Sequence, residues 1–170
     1  MGQPPAPAIL ATTLTTSPSL LAYTGGAGFS PHQDSPAYIG LARSHVSVMV
    51  CVDDSTLANG CLQVSPGRYS EGEVALDASG VITAEAAARL QWRAVECSAG
   101  DVVLFDGYLP HRSDSNDSDR ARRGMFLTYN RASEGDQRRA YYEAKHRGAQ
   151  GFNAGAAISF QGDFRGVVVD

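Results

Sequence analysis

The sequence predicts an all-β domain, a β-sandwich or barrel with few helices, and three observations support this fold class. Short apolar runs alternate with turn residues along most of the chain. The clearest run, residues 45–54, places four valines, at alternate positions from Val46 to Val52, on one face. Such alternation of β-branched residues is typical of a strand. Helix-forming patterns are confined to two segments, and short strands joined by turns indicate a sandwich or barrel.

The other predicted elements follow in chain order. Residues 1–20 are rich in Pro, Ala, Thr and Ser without periodicity, which predicts a low-complexity, disordered lead-in. Helices are predicted after the N-cap Thr83 and over residues 134–147. The domain is therefore expected to span residues 21–147, with residues 148–170 unassigned. Further strands are predicted at residues 20–24, 61–65, 92–97, 101–106 and 123–130.

Composition and charge limit the classes of function. A length of 170 residues favours one domain, and a net charge of -4 argues against a nucleic-acid surface, which needs clustered Lys and Arg. The three cysteines lack Cys-x-x-Cys spacing, so no disulfide framework is expected. Neither a signal peptide nor a membrane span is visible in the sequence. We expect a cytoplasmic protein with a small-molecule substrate, and no oligomeric state is predicted.

The segment from Gly25 to Tyr38 contains the first candidate site. In an extended segment alternate side chains share a face, so His32 and Asp34 could occupy neighbouring positions on one metal ion. Two histidines and one carboxylate on one face of an octahedron leave the opposite face open, as in iron(II) oxygenases. The alternative is a surface loop in which the two side chains only hydrogen-bond each other. Tyr38 is expected to be a packing residue rather than a pocket residue.

His111 is the candidate for the second imidazole. It follows a predicted strand and a turn, and Pro110 restricts the backbone just before it. His45, by contrast, opens a predicted strand and is expected to be structural. The loop after His111 is rich in charge, and an arginine near its end could bind a dicarboxylate through a bidentate contact. The candidates are Arg120, Arg122 and Arg123.

Taken together, these segments resemble the phytanoyl-CoA dioxygenase family of iron(II)- and 2-oxoglutarate-dependent oxygenases. The resemblance runs from about Tyr23 to about Arg147 and implies a double-stranded β-helix (jelly-roll, cupin-like) fold with a few peripheral helices. The similar segments are Gly25–Asp34, Asn59–Leu62 with Pro66-Gly67, Ala99–Val102, and Pro110–Ser113 continuing to Arg122.

The resemblance also implies roles for individual residues. His32, Asp34 and His111 correspond to the iron(II) ligands, and Arg122 to the residue that binds the far carboxylate of 2-oxoglutarate, helped by the hydroxyl of Ser113. The implied reaction uses O2 to hydroxylate a small organic substrate and releases succinate and CO2. The segments look most like those of members that hydroxylate small aminoalkylphosphonates.

Two other functions remain open at this point. Family members usually have strands and helices before the His-x-Asp motif, whereas 31 residues precede His32 here, so the N-terminal part is expected to be truncated. A catalytically inactive metal- or ligand-binding jelly-roll module is therefore one alternative. The other is a zinc-dependent hydrolase on the same ligands. Arg122 favours the oxygenase, because a hydrolase needs no anchor for a dicarboxylate.

Overall fold

Two antiparallel sheets pack against each other in the computed structural model of the chain. The model describes residues 11–13, 19–21, 28–35, 45–67, 69, 74–137 and 140–141. The strands are β1 (Ala11–Thr13), β2 (Ser19–Leu21), β3 (Phe29–His32), β4 (His45–Cys51), β5 (Leu62–Val64), β6 (Arg93–Val95), β7 (Val102–Asp106), β8 (His111–Ser113) and β9 (Gly124–Arg131).

The strand order explains how distant segments meet. The larger sheet has the order β1-β9-β4-β7, with β2 also paired to β9, and the smaller sheet has the order β3-β8-β5-β6. In the larger sheet, β4 and β9 pair from His45 with Asn130 to Cys51 with Gly124. In the smaller sheet, β3 pairs with β8, which is more than 75 residues later in the chain. The all-β prediction is confirmed.

Strand β4 buries the face that carries no valine. His45, Ser47, Met49 and Cys51 are buried, whereas the valines between them are only half-buried. Met49 and Cys51 form the hydrophobic core with Phe105 of β7 and Leu62 of β5. Full burial of such a side chain contributes roughly 1.5–3 kcal/mol. The inner face of β4 is therefore apolar at one end and polar at the other.

The structure places strands where the sequence shows no pattern. The predicted strands over residues 61–65, 92–97, 101–106 and 123–130 are confirmed within a few residues. Residues 1–20, expected to be disordered, contain β1 and the start of β2, both paired with β9. Three-residue strands such as these and β8 are held by backbone pairing and are too short to give a side-chain periodicity. Residues 22–24 lie outside the described residues.

The helix predicted after Thr83 is confirmed, whereas the predicted start of the second helix, at residue 134, was wrong. Helix α1 (Ala84–Ala87) is capped by Thr83, whose Oγ1 accepts a hydrogen bond from the Ala86 N–H (3.3 Å). Ala132–Glu134 instead forms a 3-10 turn ended by Gly135, as does Leu57–Asn59 ended by Gly60. Helical structure follows at residues 140–141, and the rest of the predicted helix, like residues 148–170, lies outside the described residues. Among the residues that the structure describes, no helix is long and apolar enough to span a membrane.

Gly60 is expected to tolerate no side chain. Its φ of 76° lies in the left-handed region, and a Cβ there would overlap the carbonyl oxygen of Asp114 and lie 2.6 Å from that of Ser115. Gly80 has a similar φ of 85° but nothing within 4 Å, so Gly80→Ala is the matched control. Both substitutions should cost about 1–2 kcal/mol in backbone strain. Gly60→Ala should lower the free energy of unfolding in urea by about 1–3 kcal/mol more. Equal losses would show that the Asp114 loop moves away without cost.

An ion pair ties the end of β4 to the start of β9. The Asp53 carboxylate accepts hydrogen bonds from the Arg123 main-chain N–H (2.8 Å), Nε (2.8 Å) and Nη2 (2.7 Å). These bonds lower the pKa of Asp53 to about 2. Since the pKa is about 3.9 in the unfolded chain, the stabilisation is complete above that value and is lost as the pH falls through 2.

Asp53→Asn is therefore expected to be less stable than the wild type near neutral pH, by up to about 1 kcal/mol for so exposed a pair. The difference should shrink as the pH falls from about 4 towards 2. Denaturant unfolding at several pH values measures it, with the exposed Asp119→Asn as control. A difference that stays constant down to the lowest accessible pH would contradict this role for the ionised carboxylate.

Candidate metal centre

The pairing of β3 with β8 places two imidazoles side by side. His32, the last residue of β3, is the direct cross-strand partner of His111, the first residue of β8. Their ring centroids are 4.1 Å apart. Directly opposite residues of an antiparallel pair have Cβ atoms about 4.5–5.5 Å apart. The register of this one strand pair is therefore enough to bring the distal histidine to the proximal one.

A bulge in β3 turns His32 towards the cavity. Between the pairs formed by Phe29 and His32, β3 has one residue more than β8, and Pro31 lies in this irregular stretch. Proline donates no ladder hydrogen bond, so it is tolerated at a bulge. Because of the extra residue, Phe29 and His32 line the same cavity although three positions separate them. A Cβ on Gly28 would overlap the Ser113 carbonyl, so glycine permits the close approach of the two strands.

Asp34 completes the group from just beyond the strand. Its Oδ1 lies 3.6 Å from Nε2 of His32 and 3.5 Å from Nε2 of His111. The candidate ligand atoms of the three residues all lie within 4.8 Å of one another. The chain bends at Asp34, so the two proximal residues converge through a turn as well as through strand alternation. His45, buried on β4, lies outside this group.

Hydrogen bonds fix the Asp34 segment to the turn before His111. The Gln33 side chain donates to the Tyr108 carbonyl (2.5 Å), and the Ser35 N–H donates to the Gly107 carbonyl (2.8 Å). One bond lies on each side of Asp34, and both acceptors lie a few residues before His111. The two parts of the site are therefore attached to each other as well as to the sheets.

Main-chain carbonyls orient both imidazoles. Nδ1–H of His32 donates to the Ser30 carbonyl (2.8 Å), and Nδ1–H of His111 donates to the Leu109 carbonyl (2.9 Å). With the proton held on Nδ1, each ring presents the lone pair of Nε2 to the centre of the group. Metal-binding histidines are usually held in this way.

The protonation states also suit a metal. Burial and the nearby His111 lower the pKa of His32 to about 4, although Asp34 and the Ser30 carbonyl act in the opposite direction. Burial alone would raise the pKa of the Asp34 carboxyl, but His111, His32 and the hydroxyl of Ser47 outweigh it and lower that pKa below its ordinary value. Near neutral pH, His32 is thus neutral and Asp34 ionised, the forms that bind metal.

The donor set fits a divalent transition metal. Two imidazole nitrogens and one carboxylate oxygen converge without a fourth protein ligand among the residues that the structure describes. This is the composition of the iron(II) facial triad, and three-ligand zinc sites of similar composition also exist. The residues that would hold the ion are His32, Asp34 and His111.

A cavity of about 200 Å³ opens beside the three residues. Its apolar lining includes Met49, Leu62 and Phe126, which come from both sheets. Ser113 and Arg122, the two residues predicted to bind a cosubstrate, also line it. The Ser113 Oγ accepts a hydrogen bond from the Phe29 N–H (3.1 Å), so its own proton is available to an acceptor in the cavity. Tyr38 lies outside the described residues.

The three candidate arginines differ in position. Arg123 lines the same cavity, but its guanidinium pairs with Asp53. Arg120 is exposed and is not among the described residues that line the cavity. Arg122 is half-buried and lines it. The structure therefore separates three residues that their spacing in sequence left as alternatives.

Sequence reasoning missed one contributor to the site, Ser47 of β4. Its hydroxyl donates a hydrogen bond to Oδ2 of Asp34. Ser47 is buried and alternates with His45 and Met49 on the inner face of the strand. The alternation of these residues is a signal in the sequence, but the valines of β4 form the more regular apolar face and predict the opposite burial.

Comparisons with known proteins agree with the predicted family. Residues 9–124 match the family model described as phytanoyl-CoA dioxygenase (PhyH). The chain is 46% identical over 124 residues to a 2-aminoethylphosphonate dioxygenase of an uncultured bacterium, with 72% of this chain and 47% of the relative covered. It is 42% identical over 125 residues to a methylphosphonate hydroxylase of Gimesia maris, with 74% of this chain and 48% of the relative covered. The chain thus spans about half the length of these relatives.

Solved structures confirm the predicted jelly roll. The structure of EctD from S. alaskensis with 2-oxoglutarate and 5-hydroxyectoine has a TM-score of 0.55 and 27% identity to this chain, with 68% of this chain and 43% of EctD covered. The structure of AviO1 from Streptomyces viridochromogenes has a TM-score of 0.54 and 27% identity to this chain, with 65% of this chain and 48% of AviO1 covered. The family model covers most of the chain and includes all three converging side chains. The chain therefore belongs to the phytanoyl-CoA dioxygenase family.

Proposed function

We propose that this chain, over residues 21–147, is the core of an iron(II)- and 2-oxoglutarate-dependent dioxygenase that hydroxylates a small organic substrate. The observation that carries the proposal is the convergence of His32, Asp34 and His111 at a cavity that Arg122 also lines. Family membership supports the same activity. The free cysteines among the described residues are compatible with the reducing conditions of the cytoplasm, which we propose as its location.

Each residue of the triad contributes one donor atom to the iron site. Nε2 of His32, Nε2 of His111 and Oδ1 of Asp34 would hold the ion, because these atoms face one another. When bound, iron(II) supplies the oxidative decarboxylation of 2-oxoglutarate by O2, which gives succinate and CO2, and the transfer of one oxygen atom to a C–H bond. The protein positions the cosubstrate and excludes water.

Arg122 is the residue that we propose to bind the far carboxylate of 2-oxoglutarate. A guanidinium can hold a carboxylate by two parallel hydrogen bonds, which fixes its orientation as well as its distance. The apolar side chains of Met49, Leu62 and Phe126 lie around the same space and exclude water, which strengthens a charge pair. Ser113 supplies a hydroxyl proton on the same cavity.

Small phosphonates are the substrate class that we propose. Two relatives above 40% identity are named for 2-aminoethylphosphonate and methylphosphonate, and their matches cover most of this chain. The names agree with the similarity of the sequence to the aminoalkylphosphonate-hydroxylating members. A panel of aminoalkyl- and alkylphosphonates is therefore the first choice for assays.

Anaerobic addition of iron(II) and 2-oxoglutarate should produce the weak visible absorption band of a chelated keto acid. Asp34→Ala and His111→Ala should each abolish the band, because they remove a ligand. The exposed Asp119→Ala should keep it. Succinate release on addition of a phosphonate then measures turnover. Conversion of a substrate with zinc alone, without 2-oxoglutarate or succinate release, would favour the hydrolase. A band without substrate-stimulated succinate would favour the binding module.

Arg122→Gln should raise the apparent KM for 2-oxoglutarate by about 10–100-fold, since it removes a charged hydrogen-bonding partner of the dicarboxylate. Arg120→Gln is the matched control and should stay within about twofold of the wild type, because its side chain is exposed away from the cavity. Initial rates at varied 2-oxoglutarate concentration measure both. If the two variants behaved alike, the anchor would have to be another residue.

A further inference from the structure

We infer that Ser47 is a positioning residue that holds the Asp34 carboxylate so that only one of its oxygens, Oδ1, faces the metal. The inference rests on the proposed function, because it concerns the same site. Ser47 is buried on β4, and its hydroxyl is not one of the candidate ligand atoms. It is also not among the described residues that line the cavity.

The two oxygens of Asp34 have different partners. Oδ1 lies 3.6 Å from Nε2 of His32 and 3.5 Å from Nε2 of His111, so it points to the centre of the triad. Oδ2 accepts the hydrogen bond from the Ser47 hydroxyl. Ser47 lies on the larger sheet and Asp34 follows a strand of the smaller one, so this bond links the two sheets at the site.

Without Ser47, the side-chain torsions of Asp34 would be less restricted. The backbone around Asp34 is held by the bonds from Gln33 to Tyr108 and from Ser35 to Gly107. These bonds fix the Cα position but leave the rotation of the carboxylate about its own axis open, and that torsion is broad. The hydrogen bond from Ser47 selects one orientation, in which Oδ2 faces Ser47 and Oδ1 faces the imidazoles.

The orientation decides how many positions on the metal stay open. Carboxylates bind metal ions through one oxygen or through both. A metal ion held by two imidazoles and one carboxylate oxygen would keep positions open for a chelating cosubstrate and O2. A carboxylate that bound through both oxygens would take one of these positions. By engaging Oδ2, Ser47 would leave Oδ1 as the one oxygen presented to the ion.

The buried hydroxyl of Ser47 has a charged acceptor in the Asp34 carboxylate. Ser47 is 3% exposed, and a buried hydroxyl without a partner costs free energy. Its cross-strand neighbours are Thr128 on β9 and Phe105 on β7, and neither carries a charge. If the hydrogen bond to Asp34 only compensated the burial of the Ser47 hydroxyl, removing the hydroxyl would lower the stability of the fold. If the hydrogen bond positions the carboxylate, removing the hydroxyl would change the affinity for the metal.

The test uses the full chain with Ser47→Ala, Ser47→Thr and Ser47→Cys. Three measurements are made without oxygen: the affinity for cobalt(II) by titration, the 2-oxoglutarate band of the iron(II) protein, and the affinity of that loaded protein for nitric oxide, an O2 analogue, by electron paramagnetic resonance. Ser47→Ala should lower the metal affinity by about 10–100-fold and the nitric oxide affinity by about tenfold, while the band persists at saturating iron. Ser47→Thr keeps the hydroxyl and should restore both affinities.

Two controls separate positioning from packing. Ser47→Cys keeps the volume with a weak donor and should behave like Ser47→Ala, so it decides the matter if the alanine variant fails to fold. Thr128→Val removes the hydroxyl directly opposite Ser47 in the sheet and should leave the metal affinity within about twofold. Circular dichroism confirms that each variant is folded.

The outcomes distinguish this inference from the proposed function. A wild-type chain that binds neither metal nor 2-oxoglutarate overturns the proposed function, and this inference with it. A wild-type chain that binds both, beside a Ser47→Ala variant with the same metal and nitric oxide affinities, overturns this inference alone. A Ser47→Thr variant as impaired as Ser47→Ala, or a Thr128→Val variant as impaired, also overturns it, because volume or sheet stability would then explain the effect.

Discussion

The register between β3 and β8 is the constraint on which the rest of the site depends. It pairs His32 with His111, and these residues are separated by more than half of the domain in sequence. Because side chains alternate in a strand, a slip of one residue would turn His111 to the opposite face of the sheet. The bulge at Pro31 and the close approach at Gly28 keep this register, and the two bonds around Asp34 attach the turn before β8 to the same segment.

The two sheets contribute different parts of the site. The smaller sheet carries both imidazoles, and the carboxylate follows directly after its first strand. The larger sheet supplies the Ser47 hydroxyl and, just before β9, the guanidinium of Arg122. The ion pair between Asp53 and Arg123 anchors the chain next to Arg122. The cavity lies between the sheets, where apolar side chains from both of them exclude water and strengthen charge interactions.

The imidazoles are oriented with very few additional residues. In both cases Nδ1–H bonds to the main-chain carbonyl two residues earlier, at Ser30 and at Leu109. The acceptors belong to the same short segments as the histidines, so no further side chain has to be ordered to hold the rings. The Asp34 carboxylate instead accepts its hydrogen bond from a hydroxyl of the other sheet, that of Ser47. Each histidine is thus oriented by an acceptor in its own short segment, whereas Asp34 is oriented by a residue from the other sheet.

The all-β class, most of the strands and the candidate residues of the site were predictable from the sequence, because alternation and reactive residue types are local properties of the chain. Three features became visible only in the folded chain: which face of β4 is buried, the pairing of β1 and β2 with β9, and the later start of the helix predicted from Glu134. The same holds for the different positions of Arg120, Arg122 and Arg123 relative to the cavity, and for the contact of Ser47 with Asp34. These features depend on which distant segments meet, and that information lies in the packing of the two sheets rather than in any short stretch of the chain.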